Sequence, residues 1–395
     1  MISARINRIK PSATVKIASM AVEMKEQGLD IIDFGAGEPD FQTPANIKEA
    51  AFAAIKADKT KYTANSGLLK LREAVSQKLQ NDNGLDYSTD EIIISSGAKH
   101  SLYNVMMSIL DPGDEVIIPA PYWTSYPEIT KLAEAVPVII NTSADSNFRI
   151  TSEQIASAVT DKTRVFILCN PCNPTGVFYS KTQLQEIAAQ LMKKNIIIIA
   201  DEIYEKLLYD NLDFTSFASL SPAVKEKTVI INGLSKAYAM TGWRIGYAAG
   251  PSEIIKAANK IQSHTTSAAS SISQYAGIEA LTGPQQAVNK MTAVFEKRRN
   301  LMYENLMEIP DISCVRSQGA FYLLPKFAAY YSSEKGNGGI KNSSDICRYF
   351  LEQAGVVAIP GAGFGADDFV RLSFAVSSDH IEEGMRRIKR ALSQL

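Results

Sequence analysis

The chain has 395 residues, and its 46% hydrophobic and 21% charged content is typical of a globular protein of about two or three domains. A formal net charge of −1 and a pI near 6.4 argue against a nucleic-acid-binding surface, because such surfaces are strongly basic. No apolar run approaches the roughly 20 residues that a membrane-spanning helix needs, and the N-terminal segment lacks the apolar region of a signal peptide, so we expect a cytoplasmic protein.

The middle of the chain alternates short apolar runs with amphipathic segments of helix length. The predicted strands are 92–95, 115–118, 136–140, 164–169, 196–200, 228–232 and 245–249. The predicted helices between them are 99–110, 123–134, 181–194 and 252–262. Because the apolar runs are continuous rather than alternating, they indicate a mostly parallel sheet covered by helices on both faces. We therefore predict an α/β fold whose functional loops gather at the carboxyl ends of the strands.

The C-terminal part of the chain has the pattern of a second, smaller α/β unit. A long charged helix is predicted over 284–308, and the later apolar and amphipathic runs are 319–324, 344–354, 356–359, 369–374 and 378–393. The polar, glycine-rich stretch 332–344 is predicted to be a flexible loop. The basic clusters 297–299 and 386–390 are interpreted as solvated helix faces. The apolar run at 31–34 is expected to join this smaller unit.

One lysine in the segment 232–246 has unusual surroundings. Lys236 follows Ser235 and lies among small residues after a predicted strand, and Arg244 lies further along the same segment. This setting suits an amine that forms an imine beside a phosphate, because partial burial and a neighbouring cation would lower the pKa of the amine. On local context alone, Lys236 is also consistent with an ordinary surface lysine.

Other polar or small residues follow predicted strands. The turn at 95–100 leads into a helix, and Gly97 and Ala98 would let backbone N–H groups approach a phosphate there. Asp201 suits either a helix N-cap or a carboxylate that keeps a heterocyclic nitrogen protonated. Asn173 lies between two prolines, which indicates a rigid loop. The glycine pattern matches neither a Walker loop nor a dinucleotide-binding fingerprint.

The cysteines give a weak motif. Cys169 and Cys172 have the C-x-x-C spacing of redox pairs and half zinc sites, but Cys314 and Cys347 are isolated and the three histidines are scattered. Cys169 also ends an apolar strand, which favours burial. We therefore expect neither a metal site nor a redox pair, and the scarcity of histidine argues against a histidine-dependent hydrolase triad.

Together these segments resemble the class I/II aminotransferases, the pyridoxal-phosphate enzymes with the aspartate aminotransferase fold. The resemblance extends over nearly the whole chain, through the motifs at 10–14, 35–41, 61–62, 121–123, 170–176, 201–204, 235–236, 242–246, 319–322 and 370–373. It is closest to the branch of bacterial aspartate and aspartate/prephenate aminotransferases. It implies an N-terminal arm and part of a small domain at 1–47, a large cofactor-binding domain at 48–295 and a small C-terminal domain at 296–395.

The resemblance also implies how pyridoxal phosphate would be held. Lys236 would form the imine with the cofactor and later move a proton, and Asp201 would pair with the ring nitrogen. Tyr204 and Asn173 would hydrogen-bond the ring hydroxyl. The phosphate would be bound by Gly97, Ala98, Lys99, Ser235 and Arg244, the ring would stack on Trp123, and Tyr62 would reach the phosphate of a partner subunit. A homodimer with shared sites follows from that last contact.

Substrate binding is implied in the same way. Arg371 would bind the α-carboxylate through both guanidinium nitrogens, assisted by Gly37, Asn173 and Trp123. Lys99 and Thr14 match positions implicated in binding a side-chain carboxylate, and Lys10 matches a position associated with prephenate. Lys10 and Lys99 are also consistent with solvated surface groups. His100 stands where many relatives have glutamine.

The predicted activity is amino transfer between aspartate or glutamate and 2-oxo acids, with aspartate and 2-oxoglutarate as the leading pair. Prephenate is the second predicted acceptor, giving arogenate, and a bifunctional enzyme fits both. Two alternatives are a C–S lyase on the same fold, which the two acid-binding lysines disfavour, and an aminotransferase-like binding regulator, which would need an added DNA-binding domain.

Overall fold

The computed structural model describes residues 2–9, 20, 23–24, 26–331 and 339–395. Lys10 and Thr14, two of the predicted substrate-binding residues, lie outside the described residues. Most of the predicted loop at 332–344 lies outside them as well. Among the residues that are described, no helix has both the length and the apolar composition needed to cross a membrane.

Strands and helices alternate along most of the described chain. The strands, β1 to β12 in chain order, are Ile32–Asp33, Ile92–Ser95, Glu115–Ala120, Val136–Asn141, Thr163–Cys169, Ile197–Asp201, Thr228–Gly233, Gly246–Ala249, Tyr322–Leu323, Val356–Val357, Ile359–Pro360 and Val370–Ser373. The α-helices, α1 to α12, are Ala45–Lys56, Leu69–Asn83, Ala98–Ile109, Ser125–Leu132, Ser152–Ala158, Lys181–Leu191, Pro222–Lys225, Ser252–Ser263, Ser271–Thr282, Gln286–Met307, Ser343–Tyr349 and Ser378–Leu392. A π-helical turn, Phe350–Ala354, continues α11.

The large sheet contains the seven strands β2 to β8, in the order β2-β8-β7-β6-β5-β3-β4. Strand β8 runs antiparallel to β2 and β7, and the pairs β7–β6, β6–β5, β5–β3 and β3–β4 are parallel. Each of these strands matches a predicted apolar run to within two residues. The predicted α/β fold with a mostly parallel sheet is therefore confirmed.

Helices cover both faces of this sheet. Ile94 packs on the face that holds α1, α2 and α9, whereas its neighbour Ile93 packs on the other face with α3, α4 and α8. Successive residues of a strand point to opposite faces, so a strand covered on both sides must be apolar at each position. Strand β2 illustrates this, because all four of its residues are buried and three of them are isoleucines.

The smaller unit combines the two ends of the chain. Strands β11, β12 and β9 form an antiparallel sheet, and β1 pairs in parallel with β10. The long helix α10 packs against the C-terminal helix α12. The expected association of 31–34 with the C-terminal part is therefore seen in the pairing of β1 with β10. The domain boundaries near 47 and 295 stay a prediction.

The interpretation of 297–299 as a solvated cluster is wrong for two of its residues. Arg298 is 8% exposed and Arg299 is 0% exposed. Arg298 donates to both carboxylate oxygens of Asp40 at 2.7 and 2.9 Å, and Arg299 donates to both oxygens of Asp210 at 2.6 and 2.8 Å. A planar guanidinium can be buried when a carboxylate meets it in this two-pronged geometry.

Candidate active site

A cavity of about 550 Å³ lies where the predicted site residues converge. Segments that follow β2, β3, β5, β6 and β7 line it, together with residues of the N-terminal segment and of β12. The predicted residues on its wall are Gly37, Ala98, Lys99, Trp123, Asn173, Asp201, Tyr204, Ser235, Lys236, Arg244 and Arg371. The carboxyl ends of parallel strands are where such folds place ligands.

Lys236 lies in the turn that follows β7 and points its amine into the cavity. Its Nζ donates to the backbone oxygen of Gly37 at 2.6 Å. The pKa of Lys236 is lowered to about 8, chiefly by burial and also by the positive charges of Arg371 and Arg244, against the opposing effects of Glu38 and Asp201. An amine with this pKa loses its proton close to neutral pH, as an imine-forming lysine must.

Asp201 is the last residue of β6 and is 5% exposed. Its Oδ2 accepts a hydrogen bond from the Tyr126 hydroxyl at 2.6 Å, and its Oδ1 accepts one from Ile203 N at 3.3 Å. Burial raises the pKa of Asp201 to about 6, and those two hydrogen bonds together with Lys236 oppose the rise. Residues 203–206 form turns rather than an α-helix, so the helix N-cap alternative is wrong.

The turn between β2 and α3 gives this part of the cavity the features of an anion site. Helix α3 begins at Ala98, and Gly97 before it has a φ of 92°. A Cβ at Gly97 would lie 2.4 Å from Nη2 of Arg244, so only glycine lets the turn and the guanidinium approach this closely. The Nη1 of Arg244 donates to Thr241 O at 2.9 Å. A helix N-terminus beside a guanidinium favours a phosphate.

Lys99 adds a second cation at this end. Its Nζ lies 4.9 Å from the ring centroid of Trp123, within the range of a cation–π contact. Burial lowers the pKa of Lys99, and the charge of Arg244 lowers it further. Ser235 also lines the cavity wall. Both cations therefore face a space in which an anion would relieve their mutual repulsion.

Arg371 lies in β12, lines the cavity and is 3% exposed. Its Nη1 donates to Asn173 Oδ1 at 3.1 Å and its Nη2 donates to Gly35 O at 2.8 Å. The guanidinium carbon lies 4.3 Å from the ring centroid of Tyr322. Within the described part of the chain, Nε of Arg371 has no hydrogen-bond partner. A buried cation held by neutral acceptors retains the capacity to bind a carboxylate.

Some predicted residues are not on the cavity wall. Gly97 lies just behind it, and the side chain of Tyr62 is 96% exposed at the surface. His100 does not line the cavity either; its Nδ1 accepts a hydrogen bond from Ser96 N at 3.3 Å. The Tyr204 hydroxyl is in the cavity region and lies 3.0 Å from the hydroxyl of Tyr322.

Comparison with known proteins places the chain in a family. The family model "Aminotransferase class I and II" matches residues 29–388. The chain belongs to the class I and II aminotransferases. An aspartate aminotransferase of Bacillus sp. (strain YM-2) is 47% identical over 390 residues, which cover 99% of this chain and 98% of that relative.

Two further comparisons agree with this assignment. A probable aspartate/prephenate aminotransferase of Rickettsia prowazekii is 44% identical over 397 residues, covering 100% of each chain. The crystal structure of the aspartate aminotransferase from Rhizobium meliloti matches with a TM-score of 0.96 at 43% identity, covering 100% of this chain and 99% of that one. The predicted family and fold are thus confirmed.

Class I and II aminotransferases depend on pyridoxal phosphate, so the predicted cofactor is confirmed as well. The donor set of the cavity fits that molecule. The cations and the start of α3 suit its phosphate, the amine of Lys236 suits its aldehyde, and the carboxyl of Asp201 suits its ring nitrogen. The tight approach of Gly97 to Arg244 also leaves backbone rather than a side chain facing the phosphate end.

Sequence analysis missed two tyrosines of this aminotransferase. Tyr126 donates to Asp201, and its ring packs edge-on against Trp123 at a centroid distance of 5.4 Å. Tyr322 contacts both Tyr204 and Arg371. Tyr322 lies in the motif at 319–322, which was a usable signal, whereas Trp123 precedes α4, so helical spacing does not connect Tyr126 with it.

The lowered pKa of Lys236 predicts the pH dependence of cofactor capture by the apoprotein. Below about pH 8 the amine is mostly protonated, so the rate of covalent capture should fall roughly tenfold per pH unit, and above pH 8 it should level off. Stopped-flow absorbance after mixing apoprotein with pyridoxal phosphate measures this rate. A rate that keeps rising up to pH 10 would show an amine with the pKa of an ordinary lysine.

Proposed function

We propose that this aminotransferase exchanges the amino group of aspartate or glutamate with 2-oxo acids, with aspartate and 2-oxoglutarate as its main pair. The observation that carries the proposal is the convergence of the Lys236 amine, the Asp201 carboxyl and the Arg371 guanidinium on one cavity. Lys99 supplies a further cation on the same wall. The Bacillus and Rhizobium relatives are named aspartate aminotransferases, which supports aspartate as a substrate.

Each of the converging groups has a separate task in the proposed reaction. When bound, pyridoxal phosphate supplies a ring that draws electrons and stabilises negative charge at the substrate α-carbon. The carboxylate of Asp201 keeps the ring nitrogen protonated, because an opposite charge in a dry site favours the protonated form. Lys236 would remove the proton from the substrate α-carbon and would deliver it to C4′ of the cofactor. Arg371 binds the α-carboxylate, with help from Asn173.

The remaining residues would bind the cofactor and the substrate and orient them. Trp123 would stack on the ring and exclude water from one face, while Tyr204 would hydrogen-bond the ring hydroxyl. The phosphate would be bound by the backbone of Gly97, Ala98 and Lys99 and by the side chains of Ser235 and Arg244. Gly37 would contribute its backbone to substrate binding. The support for these roles is the position of each residue on or directly behind the cavity wall.

We also propose prephenate as a second acceptor, because some relatives, including the Rickettsia prowazekii protein, are named aspartate/prephenate aminotransferases. Assays with aspartate, glutamate and alanine as donors, and with 2-oxoglutarate, oxaloacetate and prephenate as acceptors, would rank the substrates. Arogenate formation would establish the bifunctional enzyme. Pyruvate release from cystathionine without an acceptor would instead identify a C–S lyase.

Lys99 is proposed to bind the side-chain carboxylate of acidic substrates. A charge-assisted hydrogen bond contributes about 1.5–3 kcal/mol, so Lys99→Ala should lower kcat/KM for aspartate and glutamate by about 10- to 150-fold. Alanine should be affected much less, because it has no side-chain carboxylate. Steady-state kinetics with the three donors would measure the difference.

Lys193→Ala is a matched control, since it removes the same charge from an exposed turn after α6. Equal losses for all three donors in Lys99→Ala would assign this lysine to the cofactor or the fold. The dicarboxylate proposal would then lose its physical basis.

We also propose a cytoplasmic homodimer with shared active sites, in which 48–295 forms the large domain and 1–47 and 296–395 contribute to the small one. The strongly exposed ring of Tyr62 supports the dimer, because it projects away from its own chain. Inactive Tyr62→Ala and Lys236→Ala proteins, mixed under subunit exchange, should recover part of the activity in hybrids with one intact site. A fully active monomer at assay dilution would refute shared sites.

A further inference from the structure

Residues 62–68, which we call the Tyr62 segment, lie between α1 and α2 and pack against the large sheet. The side chain of Tyr62 is 96% exposed, so it has little contact with its own chain. The backbone of the segment is close to β2, because Ile94 N donates to Ser66 O at 3.0 Å. A Cβ at Gly67 would lie 2.5 Å from the side chain of Ile94. The position of the exposed ring therefore depends on how this backbone is held.

Gln274, in α9, binds both ends of the Tyr62 segment. Its side chain is buried, at 0% exposed. Its Nε2 donates to Thr63 Oγ1 at 3.0 Å and to Ala269 O at 2.8 Å, and its Oε1 accepts from Leu68 N at 2.6 Å. Both hydrogens of the amide are thus used. One buried side chain therefore fixes the two ends of the segment relative to each other and to α9.

Gln262, in α8, binds the middle of the segment and is buried to the same extent. Its Nε2 donates to Asn65 O at 2.7 Å and to Ile94 O at 2.9 Å, and its Oε1 accepts from Asn104 Nδ2 at 3.0 Å. Ile94 and Asn104 belong to β2 and α3, which lie on either side of the turn proposed to bind the phosphate. Gln262 therefore joins the Tyr62 segment to both elements that hold this turn.

We propose that Gln274 and Gln262 are positioning residues for the active site of the partner subunit. They fix the Tyr62 segment so that the Tyr62 hydroxyl reaches the cofactor phosphate bound by the other chain. A buried amide that loses its hydrogen-bond partners costs free energy, so displacement of the segment is disfavoured. The inference rests on the proposed homodimer with shared sites, and it adds the residues that hold the shared contact in place.

Replacement of Thr63 by valine tests one of these contacts with little disturbance of the fold. Valine keeps the size and branching of threonine but lacks the hydroxyl that accepts from Gln274. Loss of a neutral hydrogen bond should raise the dissociation constant of pyridoxal phosphate by about 2- to 10-fold, measured by equilibrium dialysis of the holoenzyme. Thr63→Ser keeps the hydroxyl and should bind the cofactor normally. Thr292→Val is the matched control, because it removes a partly buried hydroxyl from α10 and should leave the constant unchanged.

A double-mutant cycle shows whether Thr63 acts through Tyr62. In a Tyr62→Phe background, Thr63→Val should not raise the dissociation constant further, because the contact that Thr63 helps to position is already absent. A normal constant in Thr63→Val, or an equal increase in both backgrounds, would overturn the inference and leave the shared sites in place. A normal constant in Tyr62→Phe alone would overturn the shared sites themselves, and the inference with them.

Hybrid dimers test whether Gln274 acts on the other subunit. Gln274→Met keeps the length of the side chain but removes the amide, so its homodimer should bind the cofactor weakly. After subunit exchange with Lys236→Ala, the site that combines the Lys236 of one chain with the intact Tyr62 segment of the other should regain cofactor affinity and activity. If Gln274→Met does not fold, Thr63→Val takes its place in the exchange. Recovery with Tyr62→Ala but not with these variants would show that Gln274 serves only its own chain, and the inference would be wrong.

Discussion

Replacement of Lys236 by alanine should abolish turnover while the cofactor remains bound without a covalent link. The Lys236 amine points into the cavity and its pKa is lowered to about 8, so it is suited both to attach the cofactor and to move a proton. Proton transfer by a positioned side chain contributes about 10²- to 10⁴-fold, and loss of covalent attachment adds to this. We therefore expect kcat to fall by at least about 10⁴-fold.

Borohydride reduction identifies the attachment site independently of the rate. The unchanged enzyme should yield a phosphopyridoxyl group on the peptide that contains Lys236, and Lys236→Ala should yield none. Lys99→Ala is the matched control, because it removes the other lysine of the cavity wall and should leave the label on Lys236. A label on Lys99 in the unchanged enzyme would contradict the assignment.

The large sheet could be predicted because its strands are apolar on both faces. The helices α1, α2, α5, α7 and α9 were missed, and for α2 and α9 the reason is visible in their buried residues. Lys78 in α2 and Gln274 in α9 are buried, which hides the apolar periodicity. Their partners come from distant segments: Lys78 pairs with Glu205, and Gln274 accepts from Leu68 N. A local pattern contains no information about such partners.

The error at Arg298 and Arg299 has the same origin. Their carboxylate partners, Asp40 and Asp210, are 258 and 89 positions away in sequence. A run of basic residues on a helix is usually solvated, and only the fold reveals that two acids from distant parts of the chain meet it. Sequence reasoning is weakest where a charge is neutralised by a remote partner.

The active-site residues also differ in whether the local sequence pattern could predict their positions. Lys236, Asp201 and Asn173 follow strands of the large sheet, so the strand pattern itself predicts that they converge. Arg371 lies in a strand of the smaller sheet. The prediction that Arg371 belongs to the active site followed from the family resemblance rather than from periodicity. Tyr126 became apparent only through its hydrogen bond to Asp201, because a tyrosine in an amphipathic helix otherwise resembles a core residue.

Replacement of Asp201 by alanine should lower kcat by several powers of ten, on the order of 10³-fold or more. The carboxyl of Asp201 is 5% exposed and its pKa is raised to about 6. It is therefore mostly ionised near neutral pH, and a protonated ring nitrogen beside it would stabilise the negative charge further. Without this negative charge the ring nitrogen loses its proton, and the ring draws electrons from the substrate less strongly. Steady-state kinetics at saturating cofactor, with bound cofactor quantified by absorbance, separate this effect from weaker cofactor binding.

Two further variants separate charge from shape at this position. Asp201→Asn keeps the size of the side chain but removes its charge, so its loss of rate should remain severe and close to that of Asp201→Ala. Tyr126→Phe keeps the charge but removes the 2.6 Å hydrogen bond to Oδ2. That bond contributes about 1.5–3 kcal/mol, so the rate should fall by no more than about 10- to 150-fold. A near-normal rate in Asp201→Ala would show that another group keeps the ring nitrogen protonated. A near-normal rate in Asp201→Asn would show that the reaction requires the shape of this side chain and not its charge.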